Sequence, residues 1–159
     1  MAEARAGTIA RYLTISMVQG SADAFVQGSV ATDIVPEDGL ALQVIGMEFV
    51  LATALQGVSA DFEIAWSLTR DTKLAVTSYS DTECILFDGV AGSLTTSGQI
   101  LIGYRFPYPA IEGIFLVEPT IYGQLDSSAT GLTLTGYWRI YYQEVRMTEV
   151  DILRVLNNN

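Results

Sequence analysis

Between Phe62 and Thr69 the chain reads FEIAWSLT, with Phe62, Ile64, Trp66 and Leu68 at one parity and Glu63, Ala65, Ser67 and Thr69 at the other. A strand sends successive side chains to opposite faces, so this pattern buries one face and wets the other only as β structure. The same period governs residues 8–18, where Ile9, Leu13, Ile15 and Met17 oppose Tyr12, Thr14 and Ser16. Residues 24–31 form a weaker strand. Residues 41–51 are apolar at both parities, with Ile45, Met47, Phe49 and Leu51 on one side and Leu42, Val44 and Val50 on the other. Such a strand is expected at the centre of a sheet, covered on both faces.

The punctuation between these runs is turn chemistry. Residues 33–39 carry Pro36-Glu37-Asp38-Gly39, with Pro fixing φ and Gly39 taking the positive-φ position. Residues 71–80 read as a loop with a short strand at Leu74–Val76, followed by a short strand at Glu83–Phe87. Asp88-Gly89 and residues 92–98 read as loop. Ile100, Ile102, Tyr104 and Phe106 line a strand that Pro107 and Pro109 are expected to end. Short strands at 114–118 and 121–125 precede a polar turn at 126–131. The longest strand spans Leu132 to Met147, with Leu132, Leu134, Trp138, Ile140 and Tyr142 sharing a face until the apolar parity moves to Val145 and Met147. A change of parity means a bulge, or a strand passing from one environment to another. Thr148 with Asp151 resembles a capping box that opens a short helix over 148–156. The expected fold is therefore all-β: one antiparallel sandwich domain over residues 1–159, of eight to ten strands, with a short C-terminal helix. Residues 1–7 are expected to be flexible, and 157–159 a tail.

Composition narrows the chemistry. The chain has no His and a single Cys, Cys84, which removes the neutral-pH proton shuttle, His-built metal sites and internal disulfides. Only 16% of its 159 residues are charged, against about 25% in an average soluble chain. Mean hydropathy is +0.33. Such a chain is expected to meet other protein over part of its surface. Residues 39–58 are the one stretch long enough to raise a membrane span, but Glu48 sits near their centre, at a cost of roughly 2.5–3.5 kcal/mol. The N-terminus lacks the basic-then-apolar layout of a leader. With 18 acids against 8 bases and one lysine, Lys73, direct nucleic-acid binding is not expected. Phosphate-cradling glycine loops are missing as well.

Each candidate site has a plain structural reading beside it. Asp61/Glu63 and Asp81/Glu83 are paired carboxylates suited to acid–base work, or simply solvated acids at strand ends. Cys84 has Asp81, Glu83 and Asp88 as neighbours, which raise a thiol pKa, and reads as a structural thiol. In Tyr137-Trp138-Arg139-Ile140-Tyr141-Tyr142 alternation sends one set to the core and leaves Tyr137, Arg139 and Tyr141 as a contact strip. The terminal helix has apolar residues too far around its circumference for a free surface helix, which adds Val150, Leu153 and Leu156 to the expected subunit interface. No catalytic, cofactor or metal residue is assigned. A ligand-binding module, stacking carbohydrate on Tyr, Trp66 or Trp138, is the alternative reading.

The C-terminal third, a Pro107/Pro109 loop followed by IFLVEPTIYGQLDSSATGLTLTGYWRIYYQEVRMTEVDILRVL (114–156), resembles the ending of small single jelly-roll structural proteins of DNA viruses and phages. VPEDGLALQVIGMEFVLA (35–52) and FEIAWSLTR (62–70) suit the same layout. The resemblance implies a jelly-roll capsid subunit without catalytic activity or cofactor. Its partners would be copies of itself, as pentamers, hexamers or a larger shell, and other virion proteins. It would be assembled in a host cytoplasm and located in the virion. The first ten residues carry one base and one acid, so the genome-neutralising basic arm of many capsid proteins is missing. That departure suggests DNA packaged by a motor, or a shell lined by membrane or other proteins.

Overall fold

The alternating segments become two packed antiparallel sheets in the computed structural model, which describes residues 11–35, 38–53, 55, 61–92, 105–108 and 114–157. In chain order the strands are β1 (Arg11–Val18), β2 (Val26–Ala31), β3 (Leu40–Leu51), β4 (Phe62–Thr69), β5 (Cys84–Gly92), β6 (Arg105–Tyr108), β7 (Phe115–Leu116), β8 (Thr120–Ser128) and β9 (Thr135–Arg146); helix α1 (Glu149–Asn157) follows. One sheet has the order β1-β9-β3-β6, with β7 also on β3, and the other β2-β8-β4-β5. The chain thus changes sheet at nearly every connection and places its last long strand between its first and third. That is the jelly-roll order.

Apolar parity selects the inner faces. Ile15 and Met17 of β1, Phe62, Ile64, Trp66 and Leu68 of β4, and Trp138 and Ile140 of β9 are all buried in one core. Phe49 stacks on Trp66 at 4.4 Å between ring centroids and meets Trp138 edge-on at 5.4 Å. Both indoles find acceptors: Trp138 donates to the Ser67 carbonyl at 3.0 Å and Trp66 to the Tyr108 hydroxyl at 2.9 Å. The Tyr108 hydroxyl in turn donates a hydrogen bond to Asp88 at 3.0 Å, and burial pushes that phenol's pKa up. At one flank β2 comes up against β1 so closely that a Cβ on Gly28 would lie 2.2 Å from the Ser16 carbonyl oxygen. Only glycine fits there.

Several expectations need correction. On β3 the register slips between Val44 and Gly46, so Ile45 is an extra, bulged residue opposite β9. Leu42 and Val44 therefore join Met47, Phe49 and Leu51 in the core, and Ile45 turns outward, 40% exposed. The parity change after Tyr142 has the second of its two causes. Strand β9 runs on, and its outer face passes under α1, where Val145 and Met147 pack with Ala41, Val117, Ile152 and Val155 in a separate small cluster. Leu74–Val76 is loop, while β5 extends through Asp88-Gly89 to Gly92 because Gly89 faces Ala65 across the ladder. Pro107 lies within β6, which is at the edge of its sheet among the described residues, a place where strands tolerate proline. Gly39 has φ +67° as its turn requires. The expected flexible segment 1–7, Ile9, Pro36-Glu37, the loop 93–98, the strand residues 100–104, Pro109 and the last two tail residues lie outside the described residues.

Candidate interaction surface

Tyr137, Arg139 and Tyr141 do form one strip, on the outer face of the β1-β9-β3-β6 sheet, because their neighbours Trp138, Ile140 and Tyr142 are committed to the core. The register extends the strip to residues that the sequence alone did not join to it. Tyr12 lies opposite Tyr141 on β1, Ser16 and Val50 flank Tyr137, and Glu48 of β3 lies opposite Arg139. Tyr12 is 61% exposed and its ring centroid is 6.0 Å from that of Tyr141, the planes tilted by 51°. Val18 and the bulged Ile45 are exposed on the same sheet. Tyr12 sits at the outward parity of its own strand, which was a signal; its alignment with Tyr141 depends on pairing across about 130 residues.

The charges on this strip are already matched. Arg139 and the Tyr141 hydroxyl each donate to the same Glu48 oxygen at 3.0 Å, pressing that carboxylate against the sheet until it is nearly buried. The Arg139 guanidinium is held above its usual range first by that hydrogen bond. Arg11 pairs with Glu144 at the inward parity of β1 and β9, opposite Tyr142 and Leu42 at the open end of the sandwich, and so lies off this strip. Charged groups partnered in this way lose less on being covered than free ones would.

Helix α1 stands on one end of this face. Thr148 caps it, accepting from the Asp151 N–H at 3.2 Å and donating to the Asp151 carboxylate at 2.6 Å. Ile152 is buried beneath the helix, whereas Val150 and Leu153 are 58% and 50% exposed. Leu156 belongs to α1 by backbone, and its side chain lies outside the described residues. Of the six expected interface residues, five are thus placed on one face or on the helix above it.

The outer face of the β2-β8-β4-β5 sheet differs in kind. Its β4 positions Ser67 and Thr69, at the parity opposite the apolar one, are fully buried, as is Gln124 of β8. Loop residues 70–83 lie over them: the Thr77 N–H donates to Ser67 Oγ at 3.1 Å, the Lys73 N–H to Gln27 Oε1 at 2.8 Å, and Thr69 to the Asp71 carbonyl at 2.7 Å. Lys73 and Asp81 pair at 2.9 Å, which lowers the pKa of Asp81 and raises that of Lys73. Asp81 also accepts the Glu83 N–H, so this acid pair builds a turn. Cys84 lies half-buried beneath the loop, donating to the Thr77 carbonyl at 3.4 Å; burial, then the charge of Asp81, push its pKa up. The loop tip holds Leu74, 97% exposed, and Tyr79 against Phe87.

At the far end of the same face a wide depression of about 480 Å³ is lined by Asp61, Phe62, Glu63, Ala91, Gly92 and Ser128. Neither the Asp61 nor the Glu63 carboxylate has an ion-pair partner among the described residues. The two tryptophans offered as a stacking platform, Trp66 and Trp138, are 0% exposed, which leaves tyrosines as the surface aromatics on these strands. Among the described residues no helix is long and apolar enough to cross a membrane, and no group of three metal-ligating side chains gathers. The chain matches no known protein-family model and no curated protein.

Proposed function

We propose that this chain is a structural subunit that acts by self-association, a jelly-roll capsid-type protein of a DNA virus or phage. The observation that carries the reading is the outer face of the β1-β9-β3-β6 sheet. It is aromatic, its Glu48 and Arg139 are paired within one copy, and an apolar helix edge lies beside it. Interface cores favour Tyr and Arg and exclude unpaired charge, and lysine, depleted at interfaces, occurs once in this chain. The sparse charge and positive mean hydropathy point the same way.

The test is multi-angle light scattering over a concentration series, with negative-stain electron microscopy of the concentrated protein. Pentamers, hexamers or larger bodies are the expected result. A monomer at every concentration overturns the proposal, and a monomer that binds glycans replaces it with the ligand-module reading.

A further inference from the structure

We infer that two copies pair about a twofold axis, with the terminal helix of each resting on the tyrosine strip of the other. The inference rests on the self-association reading and specifies its contact. A helix that packs on one sheet needs one apolar stripe. Helix α1 has a second. At about 100° per residue, Val150 lies almost opposite the buried Ile152, with Leu153 beside it, and both are at least half exposed. Apolar residues on opposite sides suit a helix covered from two directions.

The surface that can provide the second cover is the same face of another copy. Helix α1 covers only the Ala41/Val145 end of its sheet. Beyond the Gln43–Gln143 hydrogen bond the outward side chains of β9 from Tyr141 to Thr135 are half-buried, and Tyr12, Thr14, Ser16 and Val18 of β1 beside them are exposed, so among the described residues this stretch stays accessible. That strip is roughly 20 Å long and, across β1, β9 and β3, roughly 14 Å wide. The nine-residue helix is about 14 Å long and 10 Å thick. It fits the strip in length and width. Two such stepped faces brought together by a twofold place both helices side by side in one layer, each between its own sheet and its partner's. Bringing the two strips into direct contact would leave no room for the helices.

Charge selects this face over the opposite one. On the strip Arg139 is paired with Glu48, and on the helix Arg154 is paired with Asp151. The strip is close to neutral and does not repel its own copy. The other sheet exposes Asp61 and Glu63, with Asp126 beside them, and none of the three has a described ion-pair partner. Like faces of that kind repel.

Leu153→Asp tests the contact, since its side chain is exposed and the fold does not need it. Self-association is expected to weaken at least roughly tenfold, as for a central interface residue, with the melting temperature unchanged. Ala65→Lys, on the opposite sheet, is expected to leave association as it was. In a Cys84→Ser background, mixing Leu153→Cys copies with Tyr137→Cys copies should give a disulfide-linked pair on mild oxidation. Leu153→Cys copies alone should not crosslink. If the wild-type chain self-associates and Leu153→Asp leaves that unchanged, or Leu153→Cys crosslinks to itself, the helix-on-strip pairing is wrong while self-association stands. A wild-type chain that stays monomeric overturns both.

Discussion

Gln124 shows how much a single buried polar residue can hold together. Its carbonyl accepts from Ser67, and its amide donates to Gln27 at 3.2 Å and to Thr69 at 2.6 Å. Those partners in turn fasten loop 70–83. Gln124→Ala would strand several buried groups, so a loss of about 3 kcal/mol is expected, or on the order of 10 °C in melting temperature. Thermal denaturation followed by circular dichroism measures it. Asp23 does a similar task at the other end of the sandwich. With φ +52°, it accepts from the Thr130 hydroxyl at 2.6 Å, the Thr130 N–H at 2.8 Å and the Gly131 N–H at 2.9 Å. These bonds, the Thr130 hydroxyl first, lower its pKa from 3.8. A carboxylate depressed on folding adds stability above its unfolded pKa and loses it as pH falls through the folded value. Asp23→Asn is therefore expected to be less stable than wild type at neutral pH, the gap closing below pH 3.8; denaturant titrations between pH 3 and 7 read this directly. Neither role could be read from the sequence, since Ser67, Thr69 and Gln124 have the composition of a wet face until the loop lies on them.

Among the elements, α1 is the one the sandwich can spare. Its contacts form a cluster separate from the main core, with Ala41, Val117 and Ile152 at its centre. Deleting residues 148–159 is expected to leave a cooperative β unfolding transition, lowered by a few degrees, while self-association drops sharply. Circular dichroism melts paired with light scattering separate the two effects; a truncated chain that assembles normally would count against a role for the helix. The helix itself was legible: Thr148 and Asp151 marked its start, and its apolar excess marked it as more than a surface turn. The strands were legible wherever one face was wet, as in β4. They were misread where parity alone had to decide, at Ile45, because a bulge on a doubly apolar strand leaves no mark in the alternation. They were misread again at Asp88-Gly89, a turn-like pair that β5 accommodates because a Cβ on Gly89 would lie 2.8 Å from the Ile64 carbonyl oxygen.

The whole molecule has a formal charge of −10 and a pI near 4.2. Copies at neutral pH repel through that net charge, although the strip between them is balanced. Lowering the pH towards 5, raising salt to shorten the screening length or adding divalent cations is expected to strengthen association. Light scattering against pH and ionic strength checks this, and association indifferent to both would show that net repulsion does not limit assembly. By itself the sequence determined the class of fold, because a period of two in side-chain polarity is a local property that each strand states on its own. It likewise determined which side of β9 faces out. Only the tertiary structure decided which strands are neighbours, and hence that Tyr12, Glu48, Arg139 and Tyr141, distant along the chain, share one charge-matched surface beside a helix with two apolar sides. Pairing and register are set by how two sheets pack their inner faces together, and no single segment contains that information.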